Sequence, residues 1–152
     1  MGLFQDESFG IGLVHRRLSI IDTSSLGHQP MFSNCGQVVL VFNGEIYNYK
    51  TLRSELIQLG YLFNGTSDTE VLLNCYLQAR DHNFKGLYSF SSVLRRLNGI
   101  FSFALWDSTL DTLIVARDAF GVKPFYYVNS DDGFHFSSEV KSLEFGNSFD
   151  YQ

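Results

Sequence analysis

The sequence predicts an α+β fold of four layers, a helix–sheet–sheet–helix (α-β-β-α) sandwich, built as one domain over residues 1–152. Three observations predict it. Val38-Val39-Leu40-Val41-Phe42 and Ile100-Phe101-Ser102-Phe103-Ala104-Leu105-Trp106 are apolar at successive positions, as in strands covered on both faces. Two helices with recognisable start or stop signals lie between these runs. The last third reads as a meander of short strands. Antiparallel strands that are apolar on both faces need a layer on each side. A second sheet inside and helices outside supply them.

Taken in order, residues 11–21 (Ile-Gly-Leu-Val-His-Arg-Arg-Leu-Ser-Ile-Ile) read as a strand with β-branched ends. Gly36 turns the chain into a buried strand over 37–43. A helix follows from about Tyr49 to Leu59, with Leu52, Leu56 and Leu59 on one side and Gly60 as its stop. Ser67-Asp68-Thr69-Glu70 has the form of a capping box, Ser67 as N-cap and Glu70 three residues on, and opens a helix running toward Arg80. Residues 81–92 show no clear period. A short helix is expected from Val93 to Leu97, ending at Asn98-Gly99. Strands are expected over 100–107 and 112–117, then a hairpin of 124–128 with 134–138 across the Asp- and Gly-rich turn 129–133.

Composition excludes several classes of function. A 152-residue chain is long enough to bury about two-thirds of its unfolded surface. With 45% hydrophobic residues, fifteen Phe, eight Tyr and only two Pro, it is a folded, β-rich chain. The net charge of −5 argues against nucleic acid or an anionic membrane as partner, since both select for clustered Lys and Arg. No apolar run approaches the roughly 20 residues of a membrane span. Cys35, Cys75 and four scattered histidines have neither disulfide-scaffold nor metal-site spacing, so no metal is expected. A reducing, cytoplasmic compartment is the expectation.

Four segments place charged or amide groups where strands should end. In Val14–Asp22, Arg16 and Arg17 point to opposite faces of a strand, so that one meets solvent while the other enters a cleft as a fork for a carboxylate; a solvated pair is the plainer reading. Asn43-Gly44, after the fully apolar strand, reads either as a turn or as an oxyanion hole made of an Asn side-chain amide and a Gly N–H. Asp68 stands in the first turn of a helix, where the helix dipole already favours an acid, or faces a cleft and binds an ammonium group. Arg117–Tyr127 reads as a structural loop, Gly121 allowing a positive φ and Pro124 fixing re-entry into a strand.

Together, His15–Asp22, Gln29-Pro30-Met31, Phe42–Asn48, Ser67–Glu70, Leu97–Ala104, Arg117–Tyr127 and Ser137–Leu143 resemble, in order and approximate spacing over residues 3–145, the glutaminase domain of the asparagine synthetase family. The resemblance implies an N-terminal-nucleophile fold and L-glutamine as ligand. It implies that Arg17 grips the α-carboxylate, that Ile20 and Ile21 line the pocket, that Asp68 holds the α-ammonium helped by Glu45, and that Asn43 and Gly44 form the oxyanion hole.

The sequence departs from the family at its ends. Members begin with a cysteine whose thiolate attacks the glutamine amide, preceding a strand and a helix; here the sequence reads Met1-Gly2-Leu3. The expectations are an N-terminally truncated glutaminase domain that binds glutamine without hydrolysing it, with an exposed sheet edge that favours a homodimer or association with a synthetase domain. ATP and Mg are expected only in that synthetase domain, and no cofactor in this chain. The alternative is a nucleophile-free pseudo-glutaminase used for binding or scaffolding, as in β-lactam-synthetase-like relatives.

Overall fold

A computed structural model describes residues 1–16, 27–81 and 87–143. The central element is an antiparallel sheet in the order β3-β4-β5-β6: β3 (Met31–Phe32), β4 (Val38–Ile46), β5 (Gly99–Asp107) and β6 (Thr112–Arg117). β4 and β5 pair along their whole length, from Val38 opposite Asp107 to Ile46 opposite Gly99. Side chains alternate across this sheet, and both sets are buried. Val38, Leu40, Phe42, Ile46, Phe101, Phe103 and Leu105 face the helices; Val39, Val41, Ala104 and Trp106 face the other way.

Helices α1 (Tyr49–Gln58), α2 (Asp68–Asp81) and α3 (Leu87–Leu94) cover the first face. Leu52 and Leu56 of α1, Val71, Leu72, Cys75 and Tyr76 of α2, and Phe90 and Val93 of α3 enter that core. The opposite face is covered by two separate two-stranded hairpins: β1 (Gly2–Asp6) with β2 (Ile11–His15), and β7 (Tyr126–Ser130) with β8 (Gly133–Ser137). Leu13, Phe4 and Ile11 from one and Phe136 from the other close over Val39, Val41, Ala104 and Trp106. The expected α-β-β-α order therefore appears as helix, sheet and a split second sheet. The fourth, outer helical layer is not found among the described residues.

Several expectations shift. The β4 strand runs on to Ile46, so Asn43-Gly44 lies within a paired strand and is not a turn. A short strand, β1, precedes the first expected one, which is described only as Ile11–His15; residues 17–21 lie outside the described residues. The helix expected at 93–97 is found at Leu87–Leu94, where Phe90, Val93 and Leu94 at i, i+3 and i+4 face the core. The late hairpin turns at 131–132, tighter than expected.

Two polar clamps fix α2 along the sheet. At its start, Asp68 Oδ2 accepts the Ile46 N–H (2.9 Å). At its end, the fully buried Asp107 accepts from Tyr76 Oη (2.8 Å), Arg80 (3.2 Å) and the Thr109 N–H (2.9 Å). Ile46 and Asp107 belong to opposite ends of the β4–β5 ladder, so α2 spans it. Burial pushes the Asp107 carboxyl upward, but the bonds from Thr109, Tyr76 and Arg80 outweigh it and hold the group below its ordinary range.

Candidate functional site

The candidate residues Asn43, Gly44 and Glu45 lie at the end of the sheet where β4 finishes and β5 begins. Gly44 and Gly99 let the two strands close here. A Cβ on Gly44 would lie 2.2 Å from the Ile100 carbonyl oxygen, and one on Gly99 would lie 2.2 Å from that of Glu45. Both neighbours are backbone, so the sequence has no side chain at either position for a packing reason.

Strand alternation decides what the backbone donors of β4 face. Tyr47 N–H, continuing the ladder, donates to Asn98 O on the β5 side (2.7 Å). Phe42 N–H and Ile46 N–H turn the other way, to the Gln29 side chain (2.6 Å) and the Asp68 carboxylate (2.9 Å). Gly44, midway between them, directs its N–H along that same edge, about 7 Å from each. Among the described residues no hydrogen bond to it is seen.

The neighbouring Asn43 side chain projects to the inner face, in line with Val39 and Val41, and lines a cavity of about 600 Å³ between the two hairpins and the central sheet. That is within the size range of small-molecule sites. Arg16, Ser102, His135 and Glu139 are among its other walls, with Val41, Phe134 and Phe136 supplying apolar surface. Ser102, opposite Asn43 in the ladder, donates to Pro124 O (3.2 Å). The cavity does not reach Gly44, Glu45 or Asp68.

Asp68 is 4% exposed. Burial raises its carboxyl above the ordinary range; the Ile46 and Thr69 N–H groups pull it down, and the nearby charge of Glu45 pushes it up. No cation is bonded to it among the described residues. The capping box forms only in part. The Glu70 N–H donates to Ser67 Oγ (3.2 Å), but the Glu70 carboxylate takes the N–H groups of Asn64 (2.6 Å) and Gly65 (2.8 Å), fixing the loop that leads into the helix. Arg17, Ile20 and Ile21 lie outside the described residues.

The loop from Arg117 holds itself together, as its composition suggested. Asp118 accepts the N–H groups of Phe101 (3.3 Å), Phe120 (3.2 Å), Val122 (2.9 Å) and Lys123 (3.0 Å), which lower its pKa, and Arg117 bonds to the carbonyls of Gly121 and Lys123. Gly121 has φ +62°. The loop's bonds are all internal or to β5, which suits a wall of the site. Neither cysteine lies at the site. Cys35 is exposed in the turn before β4, and Cys75 is buried on α2. Among the described residues there is no group of three His, Cys, Asp or Glu able to hold a metal, and no helix is long and apolar enough to cross a membrane.

Sequence reasoning missed Gln29 as a structural partner of β4, and Ser102 and His135 as cavity walls. Gln29 appeared only within a motif. The cavity walls come from strands far apart in sequence and leave no local signal.

The glutamine amidotransferase domain family matches residues 1–152. Asparagine synthetase [glutamine-hydrolyzing] 1 of Bacillus subtilis is 44% identical over 142 residues, covering 93% of this chain and 20% of the relative. Asparagine synthetase [glutamine-hydrolyzing] 3 of the same organism is 40% identical over 131 residues, 85% of this chain and 20% of the relative. This chain thus spans about a fifth of the length of these relatives. Among solved structures, a glutamine phosphoribosylpyrophosphate amidotransferase from B. subtilis, complexed with ADP and GMP, superposes with a TM-score of 0.68 at 26% identity, over 88% of this chain and 28% of that one.

Proposed function

This chain belongs to the glutamine amidotransferase domain family, and on that premise we propose that it is the glutamine-binding part of an asparagine-synthetase-like protein. The observation that carries the reading is the arrangement along β4: Asn43 turned into a cavity, Gly44 N–H on the strand edge without a hydrogen bond among the described residues, and a buried acid, Asp68, held at Ile46. In acyl transfer at a glutamine amide, a nucleophile bonds to the side-chain carbonyl carbon, the C=O electron pair moves onto oxygen, and the C–N bond then breaks to release ammonia. Asn43 and Gly44 are the donors for that oxygen, and losing one such donor typically costs about 3 kcal/mol of barrier.

Asp68 takes the α-ammonium. Its desolvated carboxylate, short of a cation, gains most from one, and Glu45 adds to the negative potential. Arg17 takes the α-carboxylate, and Ile20 and Ile21 line the pocket. In the whole protein, ammonia released here goes to an ATP-dependent amidation of aspartate on a synthetase domain, where ATP and Mg belong.

The nucleophile is not either cysteine of these 152 residues. The Cys75 thiol is packed in the helical core and pushed up to about 12 by burial, and Cys35 stands exposed in the turn before β4, at the end of the ladder away from Ile46. On this reading Asn43, Gly44 and Asp68 bind glutamine while neither Cys35 nor Cys75 attacks its amide.

The test is titration of the chain with L-glutamine by calorimetry, alongside an ammonia-release assay. Binding without ammonia release is expected. Asp68→Asn, which keeps one of the two backbone bonds, should weaken binding at least tenfold. It should also remove the loss of affinity seen in the unsubstituted chain as pH falls through the Asp68 pKa. Glutamine binding unchanged by Asp68→Asn would sink the assignment.

A further inference from the structure

β3 stops before its register does. With Met31 opposite Leu40 and Phe32 opposite Val39, two further steps set Pro30 opposite Val41 and Gln29 opposite Phe42. In this alternation Ser33–Val38, Met31–Leu40 and Gln29–Phe42 are the positions that exchange hydrogen bonds, and Pro30 lies between them; the backbone ladder ends at Met31. The Gln29 side chain takes over. Its Nε2 donates to Phe42 O (3.0 Å) and its Oε1 accepts the Phe42 N–H (2.6 Å). A primary amide has the same donor and acceptor as a peptide group, so it pairs with Phe42 as a strand residue would.

Gln29 is 6% exposed, so this pairing lies in the interior. Breaking it leaves the Phe42 N–H and C=O unsatisfied away from water, which costs more than an exposed bond. Phe42 immediately precedes Asn43 and Gly44. On the other edge these residues are held by β5, and beyond them Ile46 is held by Asp68. On the β3 side, the Gln29 amide is the last clamp before the Gly44 N–H.

We propose that Gln29 is a positioning residue for the Asn43–Gly44 donor pair, its side chain completing the edge of β4 at Phe42 and so fixing the direction in which both donors point. The proposal rests on the reading of Asn43 and Gly44 as the oxyanion donors.

The test uses Gln29→Glu and Gln29→Leu. A protonated carboxyl offers one O–H and one C=O, which restores both bonds to Phe42. Once ionised it sets two acceptors against the Phe42 carbonyl. Burial and that carbonyl raise the introduced group above the ordinary glutamate value of about 4.3. The readouts are the Asn43 side-chain amide resonance in ¹⁵N NMR and L-glutamine affinity by calorimetry. Both are followed between about pH 5 and pH 8.5, relative to the unsubstituted chain at the same pH.

In Gln29→Glu, the resonance and the affinity should match the unsubstituted chain within about twofold at low pH. At high pH the resonance should shift and affinity should fall about tenfold. In Gln29→Leu both losses should be present at every pH. If that variant does not fold, Gln29→Glu at its two pH extremes decides alone. A role in stability only would lower the unfolding midpoint without moving the Asn43 resonance or the affinity of folded molecules. A pH-independent Asn43 signal in Gln29→Glu overturns the proposal. If the unsubstituted chain binds no glutamine, the functional reading fails, and the Asn43 resonance alone decides the role of Gln29.

Discussion

Replacing Gly44 by alanine should be among the most damaging single-methyl additions in this chain, and the structure says by how much. The new Cβ would sit 2.2 Å from the Ile100 carbonyl oxygen, 2.6 Å from Phe101 Cα and 2.9 Å from Phe101 Cβ. Relief requires about 1 Å of movement in a backbone that is hydrogen-bonded on both edges, since β5 lies between β4 and β6. Overpacking of this kind costs about 1–3 kcal/mol. Loosening one or two ladder bonds beside it adds about 1 kcal/mol each. The φ of +153°, which side-chain-bearing residues rarely adopt, adds further strain. The sum is about 3–5 kcal/mol, against a typical domain stability of about 5–15 kcal/mol.

Two other glycines calibrate the estimate. Gly10 has φ +66° but open space around its Cβ position, so Gly10→Ala should cost about 1 kcal/mol. Gly12 has neither a positive φ nor a close neighbour, so Gly12→Ala should fall within about 0.5 kcal/mol of neutral. Urea unfolding followed by circular dichroism reads all three. With a slope of about 2 kcal/mol per molar, the Gly44 variant should lose about 1.5–2.5 M of its midpoint. A Gly44→Ala midpoint no lower than that of Gly10→Ala would refute the reasoning, because steric closure of β4 on β5 would then carry no cost.

Other consequences follow from the buried polar groups. Asp107→Ala removes the acceptor for Tyr76, Arg80 and Thr109 and should cost about 2 kcal/mol at pH 7. Because the Asp107 carboxyl is held below its ordinary value, its contribution is complete above about pH 4 and is lost as pH falls through the lowered pKa; the gap between variant and unsubstituted chain, read from unfolding midpoints, should narrow in acid. For the thiols, a hydrogen bond from Ser33 lowers the pKa of the exposed Cys35, while burial raises that of Cys75. Iodoacetamide should label one cysteine in the native chain and both in urea, and rapid double labelling of folded protein would contradict the placement of α2.

Some features were written in local sequence. The unbroken apolar runs of β4 and β5 demanded cover on both faces, because a strand carries only two faces and both were hydrophobic. The helices at 49–58 and 68–81 announced themselves by leucine spacing and by Ser67 before an acidic first turn. The loop at 117–124 was recognisable as structural from its Gly and Pro. In each case the deciding interactions fall within a few residues along the chain, where periodicity and turn chemistry act.

Tertiary structure decided the rest. That Asn43-Gly44 is strand and not turn depends on Ser102 and Phe101, more than fifty residues away, which supply the paired backbone. Whether Asp68 serves only the helix dipole or also anchors a strand end was settled by its bond to Ile46, 22 residues earlier. Gln29 acting as a strand residue through its side chain has no periodic signature, because the effect arises only once β3 and β4 are in register and the backbone ladder has ended at Met31. Long-range pairing chooses among local options that are nearly equal in energy. Local sequence could therefore offer Asn43, Gly44 and Asp68 as candidates, while the fold alone decided where the Asn43 side chain, the Gly44 N–H and the Asp68 carboxylate lie.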